Sequence, residues 1–226
     1  MGKNKVWNKK VSKQISVHKG KGSLLEINNC MKTASPWFPW HMHAEGMEDE
    51  EGTSLIRFVM VDYSKGKKSV SVYANVAPEY VKYFFVQMLR GVEEFSFSQQ
   101  KIFQKSPDSL EGAVTYFMIS RHEYNSSGEK RNYPWYVEIQ NGTGIVEKTR
   151  NGGQHCKKGT YEVKKRAAIY MTNIDIFVLF CRADSVIKAF ERDALFHQRD
   201  IQNLQKLFKK LVSLLVYGEQ ESQNAA

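Results

Sequence analysis

Two stretches decide the fold: KSVSVYANVAPEYVKYFF (68–85) and KRAAIYMTNIDIFVLFC (165–181). Each opens on a basic turn or strand start, runs through an alternating segment and passes at once into an aromatic-rich apolar helix. Alternation places successive side chains on opposite faces of a strand, whereas the helical segments carry apolar residues at 3.6-residue spacing. Ala77-Pro78-Glu79 supplies a proline for the first helical turn and an acid for the helix dipole, and Gly91 is placed to end the helix. In the later stretch, Thr172 and Asp175 form a T-x-x-D capping signal. Tyr170 follows Tyr73 by 97 residues, and aligning the two gives a repeat of pattern rather than of sequence.

Outward from these junctions the chain reads as strands. QISVHKG (14–20) and GSLLEIN (22–28) flank a Lys-Gly-Lys-Gly turn, and TSLIRFVMVDY (53–63) precedes the first junction. In the second half, FSFSQQKIFQK (95–105) and AVTYFMISRHEY (113–124) are strands. NSSGEKRN (125–132) is a hairpin-type loop, Tyr133 to Thr149 returns as one or two strands, and RNGGQHCKKG (150–159) is a basic turn. The expectation is an α+β protein of two ββββα halves (14–92 and 93–198), with antiparallel sheets packed on helices. A flexible basic arm (1–13) precedes this domain. An amphipathic helix (199–217) follows, with Ile201, Leu204, Leu207, Phe208, Leu211, Leu214 and Leu215 on one stripe, and then a disordered tail (218–226).

Composition bounds the function. The 226 residues are 42% hydrophobic and 25% charged, which excludes disorder over the whole length. No run of eighteen apolar residues exists, so no membrane-spanning helix is expected, and MGKNKVWNKKVSKQ lacks the apolar core of a secretory signal. Cys30, Cys156 and Cys181, odd in number and widely spaced, read as reduced thiols, which places the protein in the cytoplasm. Walker, G-x-S-x-G, C-x-x-C and H-E-x-x-H signatures are absent. His41 and His43, beside Glu45 and near Asp49, give the alternative of a small metal-dependent enzyme, because i and i+2 share a strand face. His155-Cys156 lies in a Gly- and Lys-rich turn whose positive field favours a thiolate; a bystander thiol is the expectation.

Charge and aromatics point elsewhere. The net charge is +9. Residues 1–22 hold seven lysines and no acid, and residues 147–166 hold seven Lys/Arg against two Glu, while EGMEDEE (45–51) is acidic. Basic segments suit a polyanion, since each phosphate contact releases condensed counterions. Aromatics interleave with them: Tyr63 precedes Lys65, Lys67 and Lys68, and Lys130-Arg131 precede Tyr133, Trp135 and Tyr136. Unpaired bases stack on such rings, each stack contributing about 1–3 kcal/mol. The expected phosphate contacts are Lys19, Lys21, Lys65, Lys67, Lys68, Lys157, Lys158, Lys164, Lys165 and Arg166, and the expected stacking platforms are Trp37, Trp40, Tyr63, Trp135 and Tyr136.

This plan resembles the Whirly family of single-stranded-DNA-binding proteins, with related folds in PC4-like coactivators, mitochondrial guide-RNA-binding proteins and the Pur-alpha family. Lys19-Gly20-Lys21-Gly22-Ser23-Leu24 (KGKGSL) agrees at four of six positions with the family's KGKAAL motif, departing at Gly22 and Ser23, and WYVEIQNG (135–142) is similar to its second-half strand pattern. The resemblance implies binding of single-stranded DNA or RNA with little sequence preference and self-association through helices as a dimer or tetramer. It implies neither catalysis nor a cofactor, and it gives the matching Lys19 and Lys21 a role in binding or assembly. The alternative from a different class is an interaction module that docks a partner through helix 199–217.

Overall fold

The computed structural model describes residues 12–32, 43, 53–64, 66–104, 106 and 109–224, with side chains at 67, 196–202 and 212–224 outside the description. Most of the expected basic arm, the acidic run, Trp37, Trp40, His41 and Lys65 also lie outside the described residues.

The alternating segments become two antiparallel sheets. In the first, β1 (Gln14–Lys19), β2 (Ser23–Cys30), β3 (Leu55–Asp62) and β4 (Val70–Val76) lie in chain order. Every second side chain points inward, so Leu25, Ile27, Ile56, Phe58, Met60, Val72, Ala74 and Val76 are fully buried. Helix α1 (Pro78–Leu89) follows, with Pro78 in its first turn and Gly91 at φ +63° beyond its end. The left-handed conformation at Gly91 is the one that residues with a Cβ resist.

The second sheet contains β5 (Glu94–Gln104), β6 (Glu111–His122), β7 (Trp135–Lys148) and β9 (Glu162–Met171), with the short β8 (Gln154–Cys156) paired to the far end of β7. The one or two strands expected over 133–149 are thus a single strand, Trp135–Lys148. The segment read as a basic turn carries a three-residue strand, closed by the Thr149 N–H donating to the Gly153 carbonyl. Helix α2 (Asn173–Asn224) then starts on a reciprocal capping box. The Asp175 N–H donates to Thr172 Oγ1 (3.2 Å), and the Thr172 N–H donates to Asp175 Oδ2 (3.0 Å).

One correction concerns this helix. A domain ending at 198, a separate helix over 199–217 and a disordered tail were expected, but α2 runs unbroken to Asn224. No Gly or Pro occurs between Asn173 and Tyr217. With neither helix breaker in that interval, nothing local stops the helix.

The chain divides into two compact units, one within residues 1–30 and 56–184, the other within residues 31–55 and 185–226. The first holds both sheets and an aromatic core: Phe58 lies 4.9 Å from Phe117, and Phe84 lies 4.9 Å from Phe97 and 6.0 Å from Phe180. Burying each such side chain stabilises the fold by roughly 1.5–3 kcal/mol. In the second unit, His43 Nε2 approaches Glu191 Oε1 at 3.3 Å, Lys32 N–H donates to Ser54 Oγ, and Ala194 is buried. Among the described residues, no helix is long and apolar enough to cross a membrane.

Candidate nucleic-acid interface

The site begins at the edge of the first sheet. β4 is an edge strand, and Ser71, Tyr73 and Asn75 occupy the face opposite its buried Val72, Ala74 and Val76. Tyr73 is 52% exposed. On β3, Arg57 takes the same outer face beside its cross-strand partner Asn75, donating from Nε to Asn75 Oδ1 (2.9 Å), and its guanidinium lies 5.0 Å from the Tyr73 ring centre.

Asn141 on the second sheet pairs with the backbone of this edge. β7 has a register shift against β9 at Asn141/Gly142. There the Tyr73 N–H donates to Asn141 Oδ1 (3.0 Å), and Asn141 Nδ2 donates to the Tyr73 carbonyl (2.9 Å). A carboxamide thereby replaces the neighbouring strand that Tyr73 lacks. Close approach is also required at Gly142, where an added Cβ would sit 2.0 Å from the Glu162 carbonyl oxygen.

Two cavities flank this link and share Tyr73, Ala113 and Thr115, so they form one cleft. The first, about 280 Å³, is lined by Arg57, Asn75, Gln99, Lys101 and Phe103 among others. The second, about 300 Å³, is lined by Ser71, Asn141, Lys164 and Lys165. Neither lining contains a carboxylate. Phe103 is 56% exposed, and Lys101 and Lys165 have no carboxylate partner among the described residues, whereas Lys164 pairs with Glu162. Gln99 Oε1 is buried without a hydrogen-bond partner among the described residues. A buried acceptor left in that condition costs about 1–3 kcal/mol.

Of the expected site residues, Lys164 and Lys165 line the cleft. Lys19, Lys21 and Lys68 are exposed where the β1–β2 turn meets the β3–β4 connection, joined by the Tyr63 N–H donating to the Gly22 carbonyl (2.8 Å). Tyr63 sits at that same end, its hydroxyl donating to the Gly20 carbonyl, which ties the ring to the turn. Lys67 belongs to a turn of 3-10 helix there. Lys157 and Lys158 are exposed beyond β8 and line neither cavity.

Trp135 requires a correction. It was expected to stack bases, but it is fully buried on the inner face of β7 with Val137 and Ile139. Its indole N–H donates to Asn173 Oδ1 (2.9 Å), and the Arg121 guanidinium lies 5.9 Å from its ring. Tyr136, one residue on, takes the opposite face and packs on Tyr170 at 4.8 Å. There Tyr136, Gln140 and Arg166 all donate to Glu138, Arg166 at 2.8 Å. Burial pushes the Glu138 carboxyl up, but hydrogen bonds from Arg166, Tyr136 and Gln140 outweigh it and hold the group below its ordinary range. Arg166 is therefore committed to a carboxylate rather than free for phosphate.

Arg57, Tyr73, Gln99, Lys101 and Phe103 were missed by sequence reasoning. The available signal was an aromatic at a polar position of an alternating strand, SVSVYAN, and an arginine among the apolar residues of LIRFVMV. Among the described residues no group of three or more His, Cys, Asp or Glu is placed to hold a metal ion, and His41 lies outside them. Neither a family model, a curated protein nor a solved structure matches this chain.

Proposed function

We propose that the protein binds single-stranded nucleic acid in the cleft between β4 and the second sheet, without catalysis. The observation that carries this reading is a lining with four cations (Arg57, Lys101, Lys164 and Lys165), two exposed rings (Tyr73 and Phe103) and no carboxylate. Cations neutralise phosphates while rings accept the π-faces of unpaired bases, which a duplex keeps stacked. The KGKG turn, with Lys19 and Lys21, extends the positive surface. The order of four strands and a helix, followed by five strands and a helix, supports a duplicated ββββα plan of Whirly type, with Tyr73 and Tyr170 both exposed on strands that lead into helices. The test is competition between single-stranded DNA, single-stranded RNA and duplex over a salt series. Tighter, salt-dependent binding of the single strands supports the reading, and equal affinity for duplex overturns it.

A second observation favours self-association alongside binding. Leu204, Leu207, Phe208 and Leu211 on α2 are 57–69% exposed at helical spacing, a seam left uncovered among the described residues. Sedimentation of the full chain against a Leu207→Glu/Phe208→Glu variant tests this. A dimer or tetramer that falls to monomer supports it, and a monomeric parent overturns it.

A further inference from the structure

The cavity beneath Tyr73 offers more than charge. Arg57 reaches it from β3 of the first sheet and Gln99 from β5 of the second, so an occupant meets a donor and an acceptor supplied by different sheets. Arg57 spends only Nε on Asn75, which leaves its terminal N–H groups without an acceptor among the described residues. Gln99 Oε1 is the complementary case, a buried acceptor with no donor among the described residues. Tyr73 and Phe103 supply aromatic surface at the same cavity.

We infer that this cavity is a base pocket that selects guanine within a bound single strand. The inference rests on the single-strand reading above and departs from the expectation of little sequence preference. Guanine presents two adjacent acceptors, O6 and N7, that a guanidinium engages in a bidentate manner. On its neighbouring edge, N1–H and the N2 amine are donors for Gln99 Oε1. Adenine replaces O6 by an amine, which sets a donor against the Arg57 donors. Thymine has one ring N–H between two carbonyls, so no two adjacent acceptors meet the guanidinium. Cytosine does pair adjacent acceptors, O2 and N3, with an amine, but all three lie on one edge, whereas guanine divides its acceptors and donors between two. With the Arg57 donors and the Gln99 acceptor supplied by different sheets, guanine is favoured over cytosine.

The experiment measures binding of an oligothymidylate of about 15 nucleotides, with the central base left as thymine or replaced by guanine, cytosine, adenine or 7-deazaguanine. The expected result is guanine tighter than thymine by about tenfold, within the range that bidentate readout delivers, with 7-deazaguanine losing most of the gain. In Gln99→Leu the guanine-to-thymine ratio falls toward one, and in Gln99→Glu, which keeps an acceptor, the preference is retained. Because the readout is a ratio within one variant, a change in overall affinity or folding does not mimic it. Equal binding of all five oligomers, a preference for cytosine, or an unchanged ratio in Gln99→Leu overturns the pocket while leaving cleft binding in place. No binding of any oligomer removes the single-strand reading itself, and the pocket with it.

Discussion

The Asn141 carboxamide pairs with both backbone groups of Tyr73, accepting from its N–H at 3.0 Å and donating to its carbonyl at 2.9 Å. One side chain on β7 thus does for the edge of β4 what a fifth strand of the first sheet would do. Two net hydrogen bonds of about 1 kcal/mol each are at stake. Asn141→Leu, close to isosteric, is expected to lose about 2 kcal/mol and to lower the melting temperature by roughly 4–8 °C. A variant melting within a degree of the parent would remove this link from the account of stability.

Trp135 and Tyr73 make opposite predictions. Trp135→Ala empties a fully buried site and is expected to cost about 3–5 kcal/mol of stability. Tyr73→Ala removes an exposed ring, with little change in stability but a loss of about 1–3 kcal/mol in binding to a single strand. Denaturant titration and fluorescence anisotropy on both variants check the contrast. Retained binding in Tyr73→Ala would count against the cleft.

Lys101 and Lys165 are expected to contact phosphate directly, having no carboxylate partner among the described residues. Replacing either by Gln should reduce the slope of log affinity against log salt by about 0.7, the value per phosphate on a single strand. Arg166→Gln, by comparison, should leave the slope almost unchanged, because its charge is spent on Glu138. A larger slope change for Arg166 than for Lys165 would reverse the assignment.

Glu138 links stability to acid. Its carboxyl is held below its usual value of 4.5 in the folded chain, so the unfolded chain takes up the proton first. Its stabilisation is therefore complete above about pH 4.5 and is lost as pH falls through the folded value. Glu123, held low by Lys130 and Arg121, acts in the same direction. Asp175 does too: burial raises its carboxyl, but Thr172 and then His18 outweigh that. Urea titrations from pH 6 to pH 3 should show falling stability, with a shallower fall in Glu138→Gln. Identical slopes for parent and variant would exclude Glu138 as a contributor.

Gly142→Ala is expected to destabilise by more than about 3 kcal/mol, since the new methyl would meet backbone rather than a side chain that can move. A soluble variant with parental melting temperature would show that β9 can retreat at the bulge.

The strands and both helix starts were legible because their signals are local. Alternation in 68–76, Pro78 in the first turn and the Thr172–Asp175 box each lie within a few residues of what they control. The cleft was not legible, because Arg57, Tyr73, Lys101 and Lys165 come from four strands and meet only through sheet pairing. Trp135 failed for a related reason. WYVEIQ assigns Trp135 and Tyr136 to opposite faces, but nothing in it says which face the rest of the chain will cover. Lys164 and Lys165 were found through charge density alone, which also drew in Lys157 and Lys158 outside the cleft.

The occupied backbone of Tyr73 has a consequence for behaviour at high concentration. An unprotected border strand is a template on which another molecule can lengthen the sheet, a route to fibrils. At its midpoint β4 has both pairing groups already taken by an amide from its own chain, so an incoming polypeptide finds no vacancy there. Asn141 thus acts as a plug against runaway growth, and a chain deprived of it would be the one to watch for turbidity.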